Sequence, residues 1–560
     1  MSAPAAPRSS ATVRGIARAA GLILVVTIVA RIAGFVRYLV FGATVGAGDV
    51  GTAYASANLL PNVLFEVVAG GALAGAVIPL VAGLIEHDED GSGARRASRV
   101  ISALMGWMLL VTVPLAILVA LLAHPIASLI LGGDASGPGA ILLGARMLRI
   151  FAVQIPLYGV TVLLGAFLQA RRRFLWPALV PLVSSLVVMA SYAVYAALSP
   201  AVATVTTISP ATEAVLAWGT TAGVLMMALP LVIPARRAGL RLIPTLRFPE
   251  GTARQALGLA GAGLGAVGAQ QAASALILLL AMRAGGTGTL PVFQYAQAVY
   301  LLPYAVLVVP LVTSVFPHLS ELRLVGDADG FARAGAMSLR SVVAVAAAGG
   351  AVLFAAAPAI EQFFRLLDRA GATGVGSTVA ALSLGLAPYA VATQSTRILS
   401  AAMRARDALV VGSVGWVCAA VLILLIVLPS ATRRTAEAST AFGLCIALGM
   451  SVAALVGLSR LGDVLGQGPL RRGLFRGSAL SVLAYVLAAV AGYAACRALM
   501  RAGAHMPLTI LAGVVGGLAA LVVVAVVLGL GDRETLRQLR RGRTPTRADT
   551  AAPVPAGPEQ

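Results

Sequence analysis

Two arginines and one glutamate interrupt the first two apolar segments of this 560-residue chain. Arg31 and Arg37 lie in the first segment, GLILVVTIVARIAGFVRYLVFGATVG, and Glu66 lies in the second. A charge at the centre of a bilayer costs roughly 3 kcal/mol or more unless it is paired or faces a wet cavity. Because the guanidinium fork binds phosphate oxygens through two hydrogen bonds, the excess of arginine predicts a polar cavity that attracts anionic head groups.

Two interpretations of these three charges remain open. At about 1.5 Å per residue, Arg31 and Glu66 lie roughly 15 and 20 Å from the ends of their helices, which is close to the midplane. They either form a structural ion pair that joins the two helices, or they line a substrate cavity in which Glu66 carries a proton or acts as a gate. Gly34, between the two arginines, would permit the first helix to bend.

Further polar side chains within apolar segments are candidates for substrate contact, although amides in membrane helices more often bond to a neighbouring helix. These candidates are Asn62, Gln270, Gln297 and Arg397. Prolines kink helices and glycines permit close approach, so the candidate hinge and gating residues are Gly34, Pro61, Gly70, Gly71 and Pro303. Arg146 and Arg149 are expected to snorkel towards the outer surface, with cavity lining as the alternative.

The composition is that of a polytopic membrane protein. Hydrophobic residues make up 59% of the chain and charged residues 11%, whereas soluble domains are about 25% charged. We predict an all-α protein with fourteen transmembrane helices, near 20–45, 53–85, 100–123, 139–168, 177–198, 212–235, 254–282, 289–317, 335–363, 376–402, 408–428, 436–459, 475–499 and 505–530. The three cysteines fall in or beside these helices and are interpreted as packing residues.

The arginines predict the orientation of the chain. Of the 41 basic residues, all arginine, 28 lie in the two tails and the even-to-odd loops, seven lie in the opposite loops and six lie within helices. Loops rich in arginine face the cytoplasm, so we expect a cytoplasmic-membrane protein with both termini cytoplasmic. This alternation also argues against a nucleic-acid partner.

An internal repeat predicts two lobes. The fourth helix ends in LGAFLQARRR, from Leu164, and the tenth ends in LSAAMRARDA, from Leu399. An offset of six helices implies two parallel six-helix bundles, helices 1–6 and 7–12, related by a pseudo-two-fold axis along the membrane normal. The predicted divisions are a cytoplasmic tail (1–19), an N-lobe (20–235), a cytoplasmic linker (236–253), a C-lobe (254–459), two further helices (475–530) and a disordered cytoplasmic tail (531–560).

No catalytic constellation is present in the sequence. There is no P-loop, no His/Cys metal spacing and no Gly-x-Ser-x-Gly motif, and the four histidines lie scattered at loops. We therefore expect a transporter without ATPase activity or cofactor, driven by the membrane potential or an ion gradient.

Four motifs occur in order along the chain. They are RIAGFVR from Arg31 to Arg37, LPN from Leu60, RFLWPA from Arg173, and QYAQAVYLLPY with VFPHLS in helix 8. Together they resemble the MurJ/MviN family of the multidrug/oligosaccharidyl-lipid/polysaccharide exporter superfamily, over about residues 20 to 530. The continuation FEVVAGGALAGAVIPL is similar to that of actinobacterial members.

The resemblance implies a flippase for lipid II, the undecaprenyl-pyrophosphate-linked peptidoglycan precursor, which acts by alternating access in a chain of fourteen helices. It implies that Arg31 and Arg37 contact the pyrophosphate in a central cavity, and that residues 475–530 form a groove for the lipid tail. The partners implied are lipid II or a related polyprenyl-pyrophosphate glycolipid, membrane lipids and cell-wall synthesis proteins.

The chain departs from the family pattern in the second and eighth helices. Phe65 and Glu66 stand where an arginine often follows Leu-Pro-Asn, and Gln297-Ala298 replaces an Asp-Arg pair. The lost arginine favours one alternative, a divergent paralogue that exports another polyprenyl-linked glycan or amphiphile. A drug/cation antiporter would need an anionic cavity, and a membrane glycosyltransferase would need clustered loop carboxylates. A non-transporting cell-wall scaffold is the remaining alternative.

Overall fold

The computed structural model describes residues 10–67, 77, 81, 93–132, 137–200, 202–248, 252–429, 434–465 and 469–532. Every regular element within these ranges is a helix, as expected where a bilayer offers the backbone no hydrogen-bond partners. By their contacts the residues form two units. The first is Met1–Pro291 with Leu367–Ala372, and the second is Val292–Leu366 with Thr373–Gln560.

The helices of the first unit begin with α1 (Ser10–Thr44) and α2 (Asp49–Phe65). They continue with α3 (Gly93–Leu121), α4 (Ala123–Leu131), α5 (Pro138–Phe151), α6 (Gln154–Ala170), α7 (Leu175–Leu198), α8 (Pro210–Arg237) and α9 (Thr252–Gly285). Helix α1 packs on α7, α2 packs on α5 and α6, and α8 packs on α6 and α7. A buried apolar core joins α3 and α6 to the C-terminal part of α8.

Helix α10 (Thr289–Pro303) crosses the division between the units. It is followed by a π-helical stretch (Tyr304–Val308), α11 (Val309–Val325), α12 (Ala328–Leu367), α13 (Val375–Leu384), α14 (Leu386–Ala401), α15 (Ala405–Leu422), a second π-helical stretch (Ile423–Val427), α16 (Thr435–Leu465), α17 (Pro469–Met500) and α18 (Met506–Gly531). Buried alanines of α12 pack against α17 and α18. The predicted lobe boundaries stay a prediction.

The helical class is confirmed, whereas the number of spans is not. Of the described helices, 12 are long and apolar enough to cross a membrane, or up to 13 if α13 and α14, which meet at 44°, form one bent span. The remaining predicted span, 53–85, begins in α2, but most of its second half lies outside the described residues. A count of fourteen is therefore not confirmed.

The two turns of the predicted repeat share one backbone geometry. Arg172, after α6, has a φ of 58° and Met403, after α14, has a φ of 61°. The next amide in each turn donates to a carbonyl five residues earlier, at Leu168 and Leu399 respectively. This is the Schellman arrangement that ends many helices. It aligns Leu168, and not Leu164, with Leu399, so the sequence correspondence was out of register by one helical turn.

Residues 367–372 belong to the first unit because they dock on the turn between α1 and α2. The Asp368 carboxylate accepts hydrogen bonds from the Ala47 amide at 3.1 and 3.0 Å, and the Arg369 amide donates to the Gly42 carbonyl at 2.9 Å. Gly46 has a φ of +78°, and a Cβ there would lie 3.0 Å from the Ala370 amide nitrogen. Glycine is thus required for this close approach.

Arg146 is held by an ion pair, which neither sequence interpretation anticipated. Its Nε and Nη2 donate to the Glu213 carboxylate at 2.8 and 2.7 Å, which joins α5 to α8. Glu213 is only 7% exposed, so its charge depends on this partner. Arg149, one turn later, is exposed and forms no ion pair with a described residue.

We predict that Arg146→Met destabilises the protein by about 1–3 kcal/mol, because it leaves a buried carboxylate without its partner. Arg149→Met is the matched control and should stay within about 0.5 kcal/mol of the parent. Thermal unfolding in detergent measures both. Equal stability of the two variants would show that the Arg146–Glu213 pair contributes nothing.

Candidate functional site

Helix α1 presents the two arginines in different surroundings. Arg31 is exposed, whereas Arg37 is half-buried. The Arg37 guanidinium lies 5.6 Å from the centroid of the Tyr38 ring. The side chains of Tyr54, Tyr158 and Tyr192 also lie in its neighbourhood. Four tyrosines therefore lie near Arg37, where a carboxylate would be the usual partner of a half-buried arginine.

The tyrosine hydroxyls near Arg37 form a network with side chains of α6 and α8. The Tyr54 hydroxyl lies 2.8 Å from that of Tyr192 and 2.9 Å from the Thr220 hydroxyl. The Gln154 amide donates to Thr221 at 3.1 Å and its oxygen accepts from Tyr158 at 3.4 Å. We call Arg37, Tyr54, Tyr158, Tyr192, Gln154, Thr220 and Thr221 the tyrosine cluster.

Two of the predicted residues on α2 join this cluster through Tyr158. The Asn62 side chain lies within hydrogen-bonding range of the Tyr158 hydroxyl, and Glu66 lies in its neighbourhood. The Phe65 and Tyr158 rings lie 5.3 Å apart. Asn62 and Glu66 are one helical turn apart, which places them on one face of α2. The structure thus brings Arg37, Asn62 and Glu66 together around Tyr158.

The proposed structural ion pair between Arg31 and Glu66 is not present. Glu66 forms no ion pair with any described residue, and Arg31 also forms no ion pair within the described part of the chain. Arg31 lies six residues before Arg37, about 9 Å along the helix axis. Arg31 and Arg37 therefore carry two positive charges that no described carboxylate neutralises.

The remaining predicted site residues lie elsewhere. Gln270, on α9 of the first unit, is exposed. Gln297 on α10 and Arg397 on α14 belong to the second unit, where Gln297 is half-buried and Arg397 is exposed. The Arg397 guanidinium lies 5.9 Å from the centroid of the Phe316 ring.

A second group of aromatic residues lies near Arg397 within the second unit. The Tyr304 hydroxyl donates to Thr393 at 3.1 Å, its ring lies 4.7 Å from that of Tyr389, and Arg397 lies in its neighbourhood. Tyr389 in turn packs edge-on against Trp416. In both units, then, tyrosines accompany the arginine that the sequence singles out.

The candidate hinge prolines lie close to π-helical backbone. Pro303 ends α10 and is followed directly by the π-helical stretch Tyr304–Val308, and α2, which contains Pro61, turns π-helical at Glu66 and Val67. π-Helical turns in helices often mark functional sites. Gly34 has open space where a Cβ would be. Gly70 and Gly71 lie outside the described residues.

The tyrosines near Arg37 and Arg397 were not among the residues predicted from the sequence. All eleven tyrosines of the chain fall within predicted spans, and a buried tyrosine hydroxyl usually finds a hydrogen-bond partner. The presence of tyrosine within the apolar spans would have identified polar positions inside the bundle, although not which of these positions contact one another. The arrangement offers hydrogen-bond donors and positive charge, which suits binding of an anion. No group of three His, Cys, Asp or Glu side chains that could hold a metal occurs among the described residues.

Comparison with known proteins identifies the family. Residues 41–513 match the family described as lipid II flippase MurJ. A protein of Rhizobium tropici named probable lipid II flippase MurJ is 26% identical over 372 residues, which cover 65% of this chain and 66% of that protein. The matched region therefore spans just under two thirds of that relative.

Two solved structures share the fold. A structure described as lipid II flippase MurJ in an inward closed conformation has a TM-score of 0.67 at 17% identity, and the match covers 91% of this chain and 99% of that one. An inward-facing multidrug resistance transporter of the MATE family, in the MOP superfamily, has a TM-score of 0.62 at 14% identity, with 78% of this chain and 95% of that chain covered.

We predict that Gly34→Ala leaves the protein folded but slows transport. The added methyl group meets no atom within 4 Å, and alanine favours a helix by about 1 kcal/mol over glycine, so bending of α1 becomes more costly. Gly21→Ala, at another open position of α1, is the control. Thermal unfolding and lipid transport in vesicles measure the two effects. Transport equal to that of the Gly21 variant would exclude a hinge at Gly34.

Proposed function

This chain belongs to the lipid II flippase MurJ family, and we propose that it moves lipid II across the cytoplasmic membrane by alternating access. The proposal is supported by the family match over residues 41–513 and by the cationic character of α1. The cargo, an undecaprenyl-pyrophosphate-linked peptidoglycan precursor, combines an anionic head with an apolar tail. A protein that moves it needs positive charge inside its polar interior.

The observation that carries the proposal is the pair of arginines on α1 without a described carboxylate partner. Their positions differ by about 9 Å along the axis and about 120° around it. Two guanidinium groups at different heights can hold the two phosphates of a pyrophosphate from two directions. Each bidentate contact combines charge with fixed geometry.

The uncharged side chains in and beside the tyrosine cluster are suited to bind the glycopeptide part of the lipid II head group. Hydroxyl and amide side chains such as Tyr158, Asn62 and Gln154 both donate and accept hydrogen bonds, which matches the hydroxyls and amides of a glycopeptide. Their mutual bonds in this structure satisfy them without substrate. A substrate can exchange these bonds for its own at little net cost.

Alternating access requires helices that change shape, and the π-helical stretches beside Pro61 and Pro303 are suited to this. We propose that the membrane potential or an ion gradient supplies the energy and that no resident cofactor takes part. Glu66 is the acidic residue beside the cluster, so it is placed to take up a proton when the arginines are occupied by substrate. Both termini are proposed to be cytoplasmic, from the distribution of arginines.

A divergent cargo is the second candidate. Gln297 and Ala298, on α10, are neutral residues where the resemblance implied an Asp-Arg pair, so the second unit has one arginine and one carboxylate fewer than expected. Another polyprenyl-linked glycan with fewer negative charges would suit such a site. A role as a cell-wall scaffold would need neither arginine.

We predict that this chain restores growth to cells depleted of their essential lipid II flippase, and that labelled lipid II then reaches the outer leaflet. Arg31→Ala and Arg37→Ala should each reduce that transport by about tenfold or more, because each removes a charged hydrogen-bonding group. Arg149→Ala removes an exposed arginine without a described ion-pair partner and is the control.

The outcomes separate the candidates when membrane levels of all variants are equal. Rescue that the α1 variants abolish and the control retains would support lipid II as cargo. Rescue that survives both substitutions would contradict the proposed role of the arginines. No rescue by the parent chain would favour the divergent cargo.

A further inference from the structure

The linker between α8 and α9 is not a free loop. Residues 240–248, which we call the docked linker, have no regular secondary structure and run along α3. Ser98 accepts from the Arg241 amide at 3.3 Å, Ser102 accepts from the Ile243 amide at 3.0 Å, and the Trp107 indole donates to the Leu246 carbonyl at 2.9 Å. Side chains of α3 therefore satisfy backbone groups of the linker in succession.

Apolar anchors fix both ends of the docked linker. Leu240 is 4% exposed and belongs to the core of the first unit, and Phe248 packs against the same core. A Cβ at Gly106 would lie 2.6 Å from the Thr245 carbonyl oxygen, so glycine is needed for the linker to pass. These contacts hold the linker in one position and determine which of its side chains face outwards.

The outward face of the docked linker is both apolar and basic. Leu242, Ile243 and Leu246 are 51%, 56% and 45% exposed. Arg241 and Arg247 flank them and are also exposed. An exposed apolar row bordered by arginine is unusual next to water but typical of the membrane interface, where tryptophan is also enriched. Trp107, which holds the linker, is 46% exposed.

Helix α3 is longer than the hydrocarbon core. It has 29 residues, about 43 Å at 1.5 Å per residue, whereas the hydrocarbon core is about 30 Å thick. The linker contacts α3 from Ser98, near the N-terminal end of the helix, to Trp107, near its middle.

Arg171 adds a donor that lacks an acceptor. Its Nε is buried and has no hydrogen-bond partner among the described residues. Its guanidinium lies 5.8 Å from the centroid of the Phe167 ring. The Arg171 Nη2 lies 3.5 Å from the position of a Cβ on Gly239, at the start of the docked linker. A buried guanidinium donor without an acceptor marks a place where an anion fits.

We propose that Arg171 and the docked linker form a binding site for an anionic phospholipid of the leaflet on this side of the membrane. The lipid phosphate accepts hydrogen bonds at the Arg171 and Arg241 end of the linker. The acyl chain lies along Leu242, Ile243 and Leu246 and continues past Trp107 into the hydrocarbon. The site is separate from the tyrosine cluster and does not depend on the identity of the transported cargo.

The test titrates the full-length protein in detergent with phosphatidylglycerol or phosphatidylcholine and follows thermal unfolding. Phosphatidylglycerol should stabilise the parent at lower concentrations than phosphatidylcholine does. Arg241→Gln with Arg247→Gln should weaken this preference by about fivefold for each arginine. Both residues are exposed, so the double variant should unfold at the parent temperature without added lipid. Arg365→Gln with Arg501→Gln removes equal charge at exposed positions elsewhere and should keep the preference.

Three results would overturn the proposal. An unchanged preference in the Arg241/Arg247 variant would show that the linker does not bind the lipid, as would happen if the acidic segment at 86–90 neutralised its arginines. An equal loss in the control variant would indicate a nonspecific charge effect. Stabilisation by inorganic phosphate to the same extent would indicate a simple anion site. The double variant Leu242→Ser with Ile243→Ser should weaken the binding of both lipids to the same extent, since it removes the surface for the acyl chain.

Discussion

The positive charge on α1 is the constraint on which the rest of the first unit depends. A half-buried arginine in an apolar helix needs a polar or aromatic neighbour, and Arg37 has the Tyr38 ring beside it and three further tyrosines nearby. Aromatic rings and hydroxyls stabilise a cation without cancelling its charge. A carboxylate in their place would have neutralised Arg37 and left no attraction for an anion. The tyrosine cluster therefore accommodates the arginine inside the bundle and, in the function that we propose, leaves it available for a ligand.

The same principle distinguishes the structural arginines from the functional candidates. Arg146 is matched by Glu213 and Arg340 by Asp532 at 2.7 Å, so both join helices. Arg31 and Arg37 have no such described partner. Sequence spacing cannot make this distinction, because Glu213 follows Arg146 by 67 residues and lies at the start of another helix. Only the packing of α5 on α8 brings the two together.

Much of the fold was predictable because each span must be apolar and about 20 residues long. The helical class, the two repeated turns and the polar character of α1 all follow from local sequence. The register of the repeat was wrong by four residues, since Leu164 and Leu168 are both leucines one turn apart and the pattern fits either. Tyr54, Tyr158 and Tyr192 were missed because tyrosine counts as apolar in a span, whereas its hydroxyl acts only through partners on other helices.

The central claim is that Arg37 recognises a pyrophosphate, and a binding titration tests it most directly. The purified full-length chain is titrated with undecaprenyl pyrophosphate and with undecaprenyl monophosphate, which share one tail and differ in one phosphate. We expect the pyrophosphate to bind about tenfold more tightly, as one additional charged hydrogen bond would give, and Arg37→Gln to remove most of that difference. Equal affinity for the two lipids, or a difference that Arg37→Gln leaves intact, would contradict the account.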